Sequence, residues 1–179
     1  MNYPKEVIFE LAWSGPYTLQ TLKQCSPDYL KTICLYAIYQ DHPLYGRRAL
    51  TYIGKVTKSG KRSVVKRLKE HDLENEVVYV ATIQKFDDWD RSDAEATLDG
   101  YDLENYVRIG QENEKIISRI EELLIYSLGP ADNRRSRQTA LNSWEYRLFN
   151  TGDLGSIPPE VSGHYALQHA PKPKEADEC

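Results

Sequence analysis

The side chains best suited to chemistry in this sequence gather between positions 34 and 71. Two apolar runs there, CLYAIYQ and LTYIGKV, carry Tyr36, Tyr39 and Tyr52. A phenol with an ordinary pKa near 10 is phenolate about one time in a thousand at neutral pH, so a tyrosine used as a base needs a cation beside it; otherwise it relays a proton. Cations follow at once. Seven basic residues, Lys55, Lys58, Lys61, Arg62, Lys66, Arg67 and Lys69, stand from 55 to 69 with no acidic one among them, and sixteen acidic residues follow from 70 to 122. Arg67 and His71 are four apart, which puts them on one face of a helix. A planar guanidinium can hold two phosphate oxygens, and an imidazole moves protons near neutral pH. The formal net charge of −4 by itself argues against a nucleic-acid partner, but it averages a basic and an acidic region, and a polyanion would meet only the first. For any one lysine of the run a solvated surface is the simpler account. For the uninterrupted run the phosphate reading is preferred.

Several elements must position these groups. Residues 33–39 and 50–56 have the β-branched and aromatic density of strands, with the polar loop 40–49 between them. From 63 to 71 the period changes: Val64, Val65 and Leu68 fall at helical spacing behind Ser63 as N-cap. EVVYVATIQ, 76–84, is the strongest strand signal and predicts a buried third strand. Residues 114–128 predict a helix whose stripe of Ile116, Ile117, Ile120, Leu123 and Leu124 faces a core; Gly129-Pro130 stops it. Residues 86–113 read as an acidic insertion, 144–155 as a closing hairpin, and 157–162 as irregular chain beside it. The first 32 residues read as a lead-in with a Gly-Pro turn and a short helix from about Thr18, Leu19 and Leu22 facing inward.

Composition sets the class. A chain of 179 residues, 40% hydrophobic and 28% charged, suits one globular domain with a real core. No apolar run reaches the roughly 18 residues that would cross a bilayer, and no signal peptide is visible at the N-terminus. Cys25, Cys34 and Cys179 cannot all pair with one another and fit no zinc pattern, so a reducing, cytoplasmic setting is expected.

In these residues the chain resembles the GIY-YIG nuclease superfamily. Of the two strand motifs that name the family, the second stands intact as Tyr52-Ile53-Gly54; the first stands as Cys34-Leu35-Tyr36, keeping the tyrosine. The family's helix arginine is matched by Arg67, and the histidine that some restriction-enzyme members add is matched by His71. Glu121, Leu124-Ile125, Pro130 and Asn133 follow in the family's order and spacing. WSGPYTL, YGRRALTYIGKV and IPPEVS also look like a subgroup of small bacterial and phage members. The resemblance covers roughly residues 10–165.

What the resemblance implies is specific. The fold would be α/β (α+β in detail): a small three-stranded antiparallel sheet flanked by helices. The lead-in would be 1–32, the nuclease core 33–142 with its insertion at about 86–113, the C-terminal hairpin 143–169, and a disordered tail 170–179. The function would be metal-dependent endonuclease cleavage of phosphodiester bonds in DNA, with a binding or interaction domain that has lost cleavage as the alternative. Tyr36 would activate water, with Lys55, Arg67 and the metal supplying the field. Tyr52 would support it, Arg67 would clamp the phosphate, and His71 would orient Tyr36 or shuttle a proton, unless it only caps its helix. Glu121 would hold a divalent ion, in all expectation Mg²⁺, which keeps most of its waters and often takes a single protein carboxylate plus substrate phosphate. Asn133 would support the site or simply form a turn. Lys55, Lys58, Lys61, Arg62, Lys66 and Arg134 would meet the nucleic acid. One domain carries one site and a duplex has two strands, which leaves a homodimer open. Cys34, small and apolar, is expected to be tolerated where the family's glycine relieves crowding beside the tyrosine.

Overall fold

The structure is a computed structural model, and it describes residues 6–24, 34–57, 64–69, 76–86, 106–108, 114–133 and 145–167. In chain order the elements are β1 (Val7–Tyr17), α1 (Leu19–Gln24), β2 (Cys34–His42), β3 (Gly46–Val56), α2 (Val64–Leu68), β4 (Val77–Phe86), β5 (Tyr106–Arg108), α3 (Glu114–Leu128), β6 (Tyr146–Gly152), β7 (Glu160–Ser162) and α4 (Gly163–Leu167). The seven strands among the described residues join one sheet. Its path runs β3-β2-β4-β1-β6-β7, and β5 pairs with β4 off that path.

This overturns the expected small three-stranded sheet flanked by helices. The three expected strands are present as β3-β2-β4, antiparallel to one another, but they form one end of a larger mixed sheet. Among the described residues only α3 is a long helix; the other three have five or six residues. The lead-in holds the reason. Phe9, Leu11 and Trp13 alternate with half-buried residues, which is the period of a strand with one face in a core, and β1 lies at the middle of the sheet. It pairs antiparallel with β4 and parallel with β6, from Val7↔Tyr146 to Trp13↔Gly152. Gly15 and Pro16 do not turn the chain out of the sheet; they lie where the β1–β4 register shifts between Ser14 and Tyr17. The helix after Thr18 is as expected: Thr18 and Thr21 cap each other's backbone N–H groups, at 2.8 and 3.1 Å, and Leu22 is buried.

β2 explains why the sheet has two covered faces. Cys34 through Tyr39 are all buried, and they alternate between two cores. Leu35, Ala37 and Tyr39 face α3, whose Ile117, Ile120, Leu123 and Leu124 are fully buried against β1, β3 and β6. Full burial of each such side chain stabilises by about 1.5–3 kcal/mol. Cys34, Tyr36 and Ile38 face the other way, onto Leu22 of α1 and Val64 and Leu68 of α2. Cys34 is accommodated there, and burial pushes its thiol up to about 12. α3 ends as expected: Gly129 takes a left-handed φ of +57°, and its N–H closes on Ile125 O at 2.9 Å. The chain then runs along the outer strand, β3, where Asp132 N–H donates to Thr51 O at 2.8 Å.

Candidate active site

β3 sits at the end of the sheet, and consecutive residues on it point to opposite faces. Tyr52 and Gly54 belong to the α2 face, Ile53 and Lys55 to the α3 face. The candidate residues fall into two groups, one on each side of this strand.

On the α2 face, Tyr36 of β2 lies opposite Gly54 of β3. A Cβ on Gly54 would stand 2.5 Å from Tyr36 Cζ and hydroxyl and 2.7 Å from Tyr52 Cε1. The glycine of the Tyr-Ile-Gly motif therefore makes the room in which both phenols meet, and their rings lie 6.0 Å apart at 27°. In this chain the clearance beside Tyr36 comes from across the strand pair, at Gly54, and Cys34 is buried beside the tyrosine. Arg67 of α2 faces the same hydroxyl. Burial pushes Tyr36 well above the usual phenol range, the neighbouring Tyr52 adds to this, and Arg67 pulls the other way by hydrogen bond and by charge. Burial wins. Tyr36 is fully buried and neutral at physiological pH, so its hydroxyl can donate a hydrogen bond but is no resting base.

On the α3 face, Lys55 Nζ lies 2.7 Å from Glu121 Oε2 and 2.9 Å from Ser118 Oγ, and Ser118 donates to Glu114 O at 2.8 Å. The pair is mostly enclosed, with 29% and 16% of the two side chains exposed. A 2.7 Å ion pair on its own would hold a carboxyl below its ordinary range. Glu121 is instead raised: burial dominates, the Lys55 hydrogen bond and charge oppose it, Glu122 adds to it, and Arg67 opposes it. The carboxylate is thus under-compensated by its lysine. Its donor set fits a hard cation that needs one carboxylate and brings its own waters. Among the described residues no group of three or more His, Cys, Asp or Glu stands where it could hold a metal ion.

Arg67 links the two groups, because its charge acts on both the Tyr36 hydroxyl and the Glu121 carboxyl. Tyr36, Tyr52, Arg67, Lys55 and Glu121 are therefore brought together around the end strand. Lys55 departs from expectation in one respect: it faces Glu121, on the side of β3 away from Tyr36. Asn133 departs more. It is buried, accepts from Ile53 N–H at 2.8 Å and donates to Ile53 O at 2.9 Å, so it clasps the backbone of the Tyr-Ile-Gly strand and keeps its side chain away from the chemistry. Lys66 lies exposed on α2. His71, Lys58, Lys61, Arg62 and Arg134 lie outside the described residues. Sequence reasoning missed Ser118 and the pairing role of Lys55. The signals were there: Ser118 is one helical turn before Glu121, and Lys55 follows Gly54 and must point away from it. Comparison of the chain with protein-family models, with curated proteins and with solved structures finds no match.

Proposed function

We propose that the chain hydrolyses phosphodiester bonds in DNA, at a site of the GIY-YIG nuclease type built on the end strand β3. The observation that carries this reading is the end strand β3 itself, which packs Tyr52 and Gly54 against Tyr36 on one face and sets Lys55 2.7 Å from Glu121 on the other. Arg67 binds the scissile phosphate through its fork of donors and offsets the charge that builds on the phosphoryl oxygens. Tyr36, neutral and held by its packing on Gly54, takes a proton from the attacking water as it gives its own to the half-buried Tyr52 hydroxyl, which passes one on to solvent. Glu121 would hold a divalent ion such as Mg²⁺, which when bound supplies Lewis acidity at the phosphate and a more acidic water. Lys55 neutralises Glu121 and, on release from it, adds a positive charge beside the phosphate. Lys55, Lys66, Arg67 and Lys69 bring the polyanion to this end of the sheet.

The test is a pair of substitutions on one helix turn. Glu121→Gln keeps shape and helix preference and removes the charge; it should abolish Mg²⁺-dependent cleavage of duplex DNA at any Mg²⁺ concentration while DNA binding without metal persists. Glu122→Gln points about 100° away and should change cleavage little. Loss with Glu122→Gln and not with Glu121→Gln overturns the assignment. A second reading, DNA binding without cleavage, is favoured by one observation: Lys55 already fills the place of a counter-ion at 2.7 Å from Glu121. The wild-type protein would then bind DNA and leave it uncut with or without Mg²⁺.

A further inference from the structure

The β2–β3 hairpin outruns the sheet that carries it. β4 pairs with β2 only as far as Tyr39↔Val77, whereas β2 and β3 go on pairing to Gln40↔Ala49 and His42↔Gly46. Residues 40–49 therefore project as a two-stranded ribbon. Its tip carries two of the three exposed large apolar side chains among the described residues, Leu44 at 85% and Tyr45 at 62%, beside the exposed Arg47 and Arg48. The tip is built, not loose. Leu44 and Tyr45 N–H both donate to His42 Nδ1, at 3.1 and 3.3 Å, and the Tyr45 ring lies 4.8 Å from the His42 ring. Arg48 takes a left-handed φ of 51°, and its N–H donates to Asp41 Oδ1 at 3.0 Å. The fold thus orders a turn around two side chains that it does not bury.

We propose that this ribbon is a second DNA contact: it enters a groove of the duplex, Arg47 and Arg48 meet phosphates, and Leu44 and Tyr45 press against the base pairs. The proposal rests on the nuclease reading above and adds a surface to it. A two-stranded ribbon is of a width that the major groove of DNA admits, and apolar side chains there can press on base edges such as the thymine methyl. A protein partner fits less well, since a stable interface needs about 800 Å² per side and this tip offers two apolar side chains. Six residues of strand separate Tyr36 from His42, about 20 Å at ~3.3 Å each, or about six base pairs at ~3.4 Å. The tip therefore meets the same duplex beyond the bond that is cut.

The full chain carrying Leu44→Ser and Tyr45→Ser together should fold as wild type does by circular dichroism, because both side chains are exposed. By fluorescence anisotropy it should bind duplex DNA roughly 5- to 100-fold more weakly, the range that loss of a base-stacking side chain gives. Its salt slope should not change, because no charge is lost. Arg47→Ala with Arg48→Ala should instead lower the slope of log affinity against log salt by about 2, at ~0.9 per phosphate contact. Affinity within twofold of wild type for the Leu44/Tyr45 variant overturns this proposal and leaves the nuclease reading standing. Wild-type protein that binds no DNA overturns both. A wild-type dimer that the Leu44/Tyr45 variant reduces to monomer, with DNA affinity intact, assigns the tip to self-association and overturns the DNA contact.

Discussion

The two faces of the end strand β3 solve the same problem by different means. On the α2 face, Tyr36 is positioned by packing: a glycine opposite it, a second tyrosine beside it, and burial on all sides. On the α3 face, Glu121 is positioned by charge, through a 2.7 Å pair with Lys55 that is in turn tied to Ser118. Packing tolerates no added atom and holds a neutral hydroxyl beside Arg67. Pairing tolerates movement but leaves a charge that has lost more water than one lysine restores. Under the proposed function the difference suits two roles. The rigid face suits a proton relay whose geometry must not vary, and the adjustable face suits a site that exchanges one cation for another.

The largest expected effect breaks the rigid face at its functional atom. Tyr36→Phe removes one hydroxyl and leaves the ring on Gly54, so the fold and the DNA affinity should hold. Cleavage in a single turnover should fall by about 10²–10⁴, the usual worth of a positioned proton-transfer group. A rate within a few-fold of wild type would make the tyrosine pair a packing device and leave any chemistry to the α3 face.

A smaller effect tests whether packing sets that geometry. Gly54→Ala adds one methyl group where Tyr36 cannot yield, since it is fully buried, and where Tyr52 can yield only by leaving its partner. Overpacking of this kind costs about 1–3 kcal/mol, read as a lower urea midpoint at unchanged slope. Cleavage should drop with it, because the two hydroxyls move. If Gly54→Ala is as stable as wild type, the clearance at this glycine is not what fixes the tyrosines.

Much of this site was legible in the sequence, and much of the sheet was not. The strands that carry Tyr36 and Tyr52 announce themselves by β-branched and aromatic density, and α3 by its apolar period, because a strand or helix buried on one stripe writes that burial locally. Glu121 could be placed on a face from its position beside Ile120 and three before Leu124. The clearance at Gly54 and the pairing of Lys55 need only strict alternation along β3, and could have been read. β1 was obscured by Gly15-Pro16, which looks like a turn and is a register shift inside a strand. Its neighbours, β4 and β6, are set by pairing across the chain; the β1–β6 pair spans Val7 to Tyr146, and no local pattern encodes it. Asn133 had the spacing of a site residue and the work of a clasp, a distinction that only its two bonds to Ile53 reveal. Trp13 and Asn150 tell the same story: an indole N–H donated at 2.9 Å to an amide oxygen 137 residues away holds β1 to β6.

The smallest effect bears on the adjustable face, and it is a question of sign. Glu121 has a carboxyl raised above its ordinary value of 4.5, burial being the largest cause and Lys55 the main opposing one. A group raised on folding contributes its full stability below its unfolded pKa and loses it as pH rises through the folded value. Wild type should therefore gain stability relative to Glu121→Gln, which cannot titrate there, as pH falls from 7 toward 4.5. Urea unfolding of both proteins across that window measures the difference, and titrations common to both cancel. The opposite slope would mean that the 2.7 Å pair with Lys55 outweighs burial and holds the carboxyl down. Glu121 would then be satisfied as it stands, with nothing for a metal ion to relieve, and the contrast between the two faces would reduce to two kinds of structural contact on one strand.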